Sequence, residues 1–399
     1  MGEIMKKNSI VLAAISILFL LFLYTSDRQN AEAQSRVLET NVLTLVKTIG
    51  DDETALPKEY LLASPFSFCV NDKEDIFVYD EYKIKVFDSN GKAKKLIGGR
   101  GQGPGEFTIY GATVSISAAN YLSVGNIMES FNIFAPDFSF IKKIVFQSYT
   151  PYLTLFEKEE FAPVFLVNVY SINQNLRFVA FEGVSLEPDV RIRCELLLYE
   201  RPDSVITIIS AKRPDSYPDA TRGGQTVNVP YSSKLWWTPL SKNRAVYINT
   251  MYGYETASMN PIYTLNIFSA DSYQITNLSF PYKPVKVSDD SKDRALQTAE
   301  NTKLPKDLKD HIKKVTYLPA VRLLAADGNI LFVYTSETNE KNEYVVQVIN
   351  VDTGKLLSTI WFPALYSAIK NGYVYELKRP RDEYPRIEKY KISPIVYGK

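Results

Sequence analysis

The sequence predicts an all-β fold, a six-bladed β-propeller closed by its own N-terminus. Three observations predict it. One unit of short apolar strands joined by Gly, Asn or Asp turns returns six times past residue 41; the final copy stops one strand short; and a spare strand at residues 42–49 precedes the first copy with no partner of its own. A closed ring of sheets leaves no long free edge, and an outer strand donated from the start of the chain would latch the last sheet. The 27 Tyr and 21 Phe fit this class, because aromatic side chains suit pleated, half-buried surfaces.

The elements follow in order. Met5-Lys6-Lys7, an uncharged apolar run over residues 10–24 and Ala31-Glu32-Ala33 have a secretory layout, so residues 1–33 are read as a signal peptide or an uncleaved N-terminal anchor. The run is about 15 residues, long for a signal core and short for a spanning helix of about 20. Either way the bulk of the chain is expected outside the cytoplasm, in the periplasm, secreted or on the cell surface. No cysteine lies just after the run, so a bacterial lipoprotein anchor has no acceptor thiol. Residues 34–399 are read as one propeller domain.

The first copy has strands at 75–80 and 84–88, then Ser89-Asn90-Gly91-Lys92, then a strand at 95–97. Asn-Gly favours a tight hairpin because both central positions of a type I′ turn need positive φ. The second copy runs through 121–126, 130–135 and 140–146, and the third through 163–170, 176–181 and 192–199. The fourth covers 245–251, 262–270 and 273–280; the fifth covers 330–336, 344–352 and 356–362, turning at Asp352-Thr353-Gly354-Lys355. The last has only 373–377 and 386–392. Six units in about 350 residues exceed the usual blade spacing of about 40–50 residues, and the excess falls in two insertions. Residues 201–243 hold Pro202, Pro214, Pro218, Pro230 and Pro239, Gly223-Gly224, Trp236-Trp237 and an extra strand at 205–209. Residues 288–314 form the clearly helical stretch, divided by Pro305 and joining blades four and five.

Between the first two copies lies Gly98-Gly99-Arg100-Gly101-Gln102-Gly103-Pro104-Gly105-Glu106-Phe107. This run resembles the blade junction of NHL-type propellers, and from residue 42 onward the chain is similar to exported six-bladed propellers of that group from bacterial envelopes. The full motif occurs at this first junction alone. The resemblance implies a ring and a binding role; it implies no reaction.

The remaining residues narrow the function. Lys+Arg 46 against Asp+Glu 45 leave a net charge of +1, so nothing attracts the whole molecule to nucleic acid or to an acidic membrane; membrane contact is expected only through an uncleaved N-terminal segment. The one histidine, His311, sits among Lys309, Asp310, Lys313 and Lys314 on a solvated helix face. Ser-His-Asp triads, Cys-His pairs and histidine zinc sites are thereby disfavoured. Cys69 and Cys194 lie in apolar runs and read as buried thiols.

In the glycine run, Pro104, Glu106 and Phe107 stand where a phosphate loop needs Lys and Ser or Thr, so Phe107 is expected to wedge into the next sheet instead. Asp289, Ser291, Asp293 and Glu300 have calcium-loop spacing, but Arg294 occupies the obligatory glycine position, and helix N-terminal acids after a Ser288 cap explain them without a metal. No catalytic residue, metal ligand or cofactor is assigned. Candidate ligand-binding residues are Asp215, Tyr217, Asp219, Arg222, Trp236 and Trp237, because long loops on rigid scaffolds carry binding sites. The tryptophans have a second reading as core residues of the fourth blade's inner strand. The expected function is a non-catalytic scaffold of the bacterial envelope or cell surface that recognises a protein, peptide or glycan. The alternative is a metal-dependent hydrolase of the six-bladed lactonase type, with a divalent cation in the central channel and Asn71, Asp72, Asn126 and Asp327 converging there.

Overall fold

A computed structural model describes residues 38, 40–108, 111–126, 129–185, 193–213, 216–219, 225–228, 234–250, 253–254, 261–301, 306–363 and 367–399. The N-terminal apolar run at 10–24 lies outside them. Six four-stranded antiparallel sheets follow one another along the chain. From the inner to the outer strand, blade 1 is Ser67–Val70, Ile76–Asp80, Lys83–Phe87 and Ala93–Ile97, and blade 2 is Ala112–Ile116, Leu122–Asn126, Ser130–Phe134 and Phe140–Val145. Blade 3 is Phe161–Ser171, Arg177–Ser185, Arg193–Arg201 and Ser204–Arg213, and blade 4 is Lys234–Leu240, Arg244–Thr250, Ile262–Ser269 and Ile275–Pro281. Blade 5 is Val321–Asp327, Ile330–Thr338, Glu343–Asn350 and Lys355–Pro363. Blade 6 takes Ser367–Lys370, Tyr373–Lys378 and Arg386–Ile392 from the C-terminal end and Leu43–Ile49 from the N-terminal end.

The expected latch is present. Leu43 pairs with Ile392 and Ile49 with Ile387, antiparallel, with a bulge between Leu45 and Lys47. Ser393 N donates to Val42 O at 2.8 Å.

The core is divided into wedges, one between each pair of neighbouring blades. Phe107 packs with Tyr79 and Phe134 between blades 1 and 2; Phe146, Tyr152 and Phe181 lie between 2 and 3; Phe178, Tyr199 and Phe268 lie between 3 and 4. Tyr263, Leu265 and Leu331 join 4 to 5, Phe332, Phe362 and Val374 join 5 to 6, and Ile49, Phe87, Tyr375 and Ile387 join 6 to 1. The sixth wedge closes the ring, and the molecule is a six-bladed β-propeller. Neighbouring blades cover both faces of a sheet, and the middle strands Ile76–Asp80 and Ser130–Phe134 are buried along their whole length.

Three features differ from the sequence reading. The insertion expected at 201–243 is shorter, because the extra strand at 205–209 is the outer strand of blade 3 and Trp236 and Trp237, in line with their reading as core residues, belong to the inner strand of blade 4. Among the described residues, only a hairpin, Ser216–Asp219 with Gln225–Asn228, intervenes. The inner strands of blades 2 and 6 are short, and that of blade 5, Val321–Asp327, carries no alternating hydrophobic pattern, so none of the three stands out as a strand in the sequence. A third α-helix, α1 (Thr150–Lys158), joins blades 2 and 3, in addition to α2 (Asp289–Asn301) and α3 (Lys306–Lys314). Its Thr, Tyr and Phe read as strand formers, but Pro151 suits a first helical turn, and Tyr152, Leu155 and Phe156 form one buried stripe.

Antiparallel order gives the ring two unlike faces. Turns from inner to second strand and from third to outer strand lie on one; turns from second to third strand and the blade-to-blade connections start and end on the other. Among the described residues, all three α-helices and the extra hairpin belong to these connections. Gly253–Tyr254, in the second-to-third connection of blade 4, pairs with Val315–Tyr317 just after α3, which ties two insertions together on that face. The opposite face is made of tight turns. No helix among the described residues is long and apolar enough to cross a membrane.

Candidate functional site

The six inner strands surround an axial channel of about 920 Å³. Every blade contributes to its wall, among others through Ser67 and Cys69, Ser115 and Ser117, Asn168 and Tyr170, Thr238 and Ser241, Ala326 and Asp327, and Lys370 and Asn371. The wall is mostly small or polar, with Phe66, Phe68 and Tyr170 as its aromatic members. Burial pushes the Tyr170 hydroxyl up to about 12 and raises the Cys69 thiol well above its usual range, so Cys69 remains protonated and is a poor nucleophile. Cys69 is half-buried and Cys194 is buried.

At the tight-turn mouth, neighbouring blades are stitched together. Lys370 pairs with Asp72, and Asn371 Nδ2 donates to Asp72 O at 2.9 Å. The carboxylate of Asp327 accepts Asn371 N at 3.0 Å, Gly372 N at 2.9 Å and the Tyr397 hydroxyl at 3.3 Å. Asn71 Nδ2 reaches Asn120 Oδ1 at 3.0 Å while its Oδ1 accepts Asp75 N at 2.8 Å. Thus Asn71, Asp72 and Asp327 converge on the channel, as the hydrolase alternative requires, but their oxygens hold turns together. Asn126 does not join them; it lines a small gap between blades 1 and 2. Among the described residues, no three His, Cys, Asp or Glu side chains are placed to hold a metal ion.

The insertion-face mouth has a different character. Phe66 is 44% exposed, with Gly111 against its ring. Arg379 lies beside it, donating from Nε to Pro65 O at 3.1 Å and from Nη2 to Pro65 O at 2.8 Å and Phe66 O at 3.1 Å. Sequence reasoning missed both residues, since nothing local connects positions 66 and 379.

The sequence-predicted candidates scatter. Asp215 and Arg222 lie outside the described residues, and Tyr217 and Asp219 fall on the extra hairpin, where only the backbone is described. Trp236 packs against the wedge between blades 4 and 5, whereas Trp237 packs against that between 3 and 4. Lys234 Nζ sits 4.1 Å from the centre of the Trp236 ring. His311 is half-buried on α3. Asp289 and Asp290 occupy the first turn of α2, where Ser288 Oγ accepts Ser291 N at 3.3 Å, so the calcium-loop spacing is a capped helix start.

The glycine run forms a structural loop. Gly98 and Gly105 have φ of 74° and 78°. Glu106 Oε2 accepts Gly103 N at 2.7 Å, so a carboxylate of the chain itself occupies a donor that a phosphate loop would offer to its ligand. Phe107 is buried 5.3 Å from the Tyr79 ring, as expected.

Residues 56–182 match a family described as a 6-bladed beta-propeller. No curated protein matches the chain. Among solved structures, the chain is similar to a protein of Bacteroides fragilis described as a putative exported protein, with 12% identity, a TM-score of 0.47 and coverage of 90% of this chain and 98% of that one. It is also similar to a chain of a mitotic checkpoint complex, with 10% identity, a TM-score of 0.39 and coverage of 90% and 97%. The Pan2 WD40 domain of Neurospora crassa shows 8% identity, a TM-score of 0.37 and coverage of 90% and 97%.

Proposed function

We propose that the protein is a non-catalytic binding scaffold of the bacterial envelope or cell surface, of the NHL-type group, which recognises a protein, peptide or glycan with its insertion-bearing face. The observation that carries this reading is the asymmetry of the ring. One face consists of tight turns hydrogen-bonded from blade to blade; the connections of the other carry every α-helix and the extra hairpin among the described residues. Long segments on a rigid frame are where binding residues concentrate. The apolar run at residues 10–24 supports export. A catalytic cation in the channel is the less supported alternative, since Asp72 would have to leave Lys370, and Asp327 its two backbone donors.

The test compares two charge-matched double variants. Lys306→Glu with Lys313→Glu alters exposed lysines of α3, and Lys73→Glu with Lys92→Glu alters exposed lysines of the tight-turn face. Crosslinking in intact envelopes is expected to give a reproducible partner that the first variant loses about tenfold or more and the second retains. Equal loss in both, or no partner for the unaltered protein together with no signal on a glycan array, would overturn the reading.

A further inference from the structure

We infer that the insertion-face mouth of the channel is a subsite for a carboxylate attached to an aromatic or apolar group, held by Arg379 and Phe66. The inference rests on the binding role proposed above and names the chemistry recognised at the channel.

The charge pattern of the wall comes first. The charged residues lining the channel are Asp72, Asp327, Lys370, Glu376 and Arg379. Asp72 and Lys370 neutralise each other, and Glu376 pairs with Lys378 at 2.5 Å. Arg379 has no carboxylate within ion-pairing distance among the described residues. Cations fixed elsewhere in the blades do have one, as at Lys85, Arg177, Arg244 and Lys389. The wall therefore keeps one uncompensated positive charge, and it sits at the mouth that faces the insertions. Asp327, which has no cationic partner among the described residues, is at the other mouth, so the axial field favours an anion entering beside Arg379.

The guanidinium is also held in position. Its Nε and Nη2 donate to the carbonyls of Pro65 and Phe66, and neutral carbonyls orient a cation without cancelling its charge. Nη1 has no hydrogen-bond partner among the described residues, which leaves a fixed donor for an acceptor from outside. Arginine presents such donors in a planar fork matched to a carboxylate. A preorganised group loses little entropy when the bond forms.

Phe66 defines the rest of the ligand. Its backbone N–H donates to Tyr79 O at 2.9 Å, its ring lies against Gly111, and almost half of it is exposed beside the charge. Phe68 and Leu377 continue the apolar wall inward. A cation flanked by an apolar surface selects an anion that carries an apolar body. Either a free small carboxylate or the C-terminus of a peptide has this chemistry.

Ligand-observed NMR on the full chain tests the inference with N-acetyl-phenylalanine and its carboxamide as probes. The acid is expected to bind about tenfold tighter than the amide. Arg379→Gln should make the two equal, and Phe66→Ser should weaken both together. Amide binding by the Arg379→Gln protein reports that the mouth remains intact, and Arg379→Lys, which keeps the charge, should restore part of the preference for the acid. An N-acetylated tripeptide ending in phenylalanine acid separates the sources: tighter binding than the single residue assigns the site to a chain end, and equal binding assigns it to a small carboxylate. Equal affinity of acid and amide for the unaltered protein, or an undiminished preference in Arg379→Gln, would overturn the inference. If that happens while the α3 lysine variant still loses its envelope partner, the subsite is wrong and the binding role stands.

Discussion

At Lys85 the chain buries a full positive charge in blade 1. Its ammonium donates to Leu61 O at 2.6 Å, Asp80 Oδ2 at 2.8 Å and Glu81 Oε2 at 3.0 Å, and the side chains of Lys85 and Asp80 are fully buried. Asp80 in turn accepts Ala63 N and Ser64 N, both at 2.8 Å. The pair thus clamps the connection from the latch strand onto the first blade. Removing one member of such a pair strands the other in a low-dielectric site, at a cost of about 3–5 kcal/mol. Lys85→Met is expected to lower stability by that amount in urea unfolding at neutral pH. Lys85→Met combined with Asp80→Asn should recover part of the loss, because no uncompensated buried charge then remains, Glu81 being half exposed. A loss below about 1 kcal/mol for the single variant would mean that water reaches the site.

The junction loop and the helices show what sequence discloses at the scale of an element. Gly98 is required twice over: its φ is positive, and a Cβ there would lie 2.3 Å from the Phe107 ring and 2.7 Å from Gly105 O. A Cβ on Gly99, by contrast, would meet nothing within 4 Å. Gly98→Ala is therefore expected to destabilise by about 2 kcal/mol or more, and Gly99→Ala to stay within about 0.5 kcal/mol, in paired thermal melts. That loop could be read from its residues because its requirements are local. The Asn90-Gly91 and Asp352-Thr353-Gly354 turns could be read for the same reason, as could Pro305 between α2 and α3. By contrast, α1 was hidden, since its tyrosines and phenylalanines favour strands until the wedge between blades 2 and 3 selects the helix. The inner strands were hidden because alanine and serine near the axis carry no hydrophobic period. The channel mouth was hidden most completely: Arg379 is positioned by the carbonyls of Pro65 and Phe66, and no spacing rule links residues so far apart.

For the molecule as a whole, stability depends on a ring in which every wedge needs both of its neighbours. The strand Leu43–Ile49 does two things at once. It hydrogen-bonds to Arg386–Ile392, and it delivers Ile49 to the wedge shared with Phe87, Tyr375 and Ile387. Val42 enters the adjoining wedge with Phe362 and Val374. Without this strand, Arg386–Ile392 becomes a free edge and two wedges lose buried side chains, each contributing about 1.5–3 kcal/mol. A chain lacking residues 1–50 should therefore melt at a markedly lower temperature and exchange the amides of blade 6 and of the wedge facing blade 1 first. Because the lost strand is a separate piece of chain, a synthetic peptide of residues 40–50 should restore the melt when added in trans. The same peptide with Val42→Asp and Ile49→Asp should not, since it keeps the backbone donors but cannot fill either wedge. Full stability in the truncated chain without peptide would show that blade 6 closes the ring with three strands, and that the wedges alone hold the circle together.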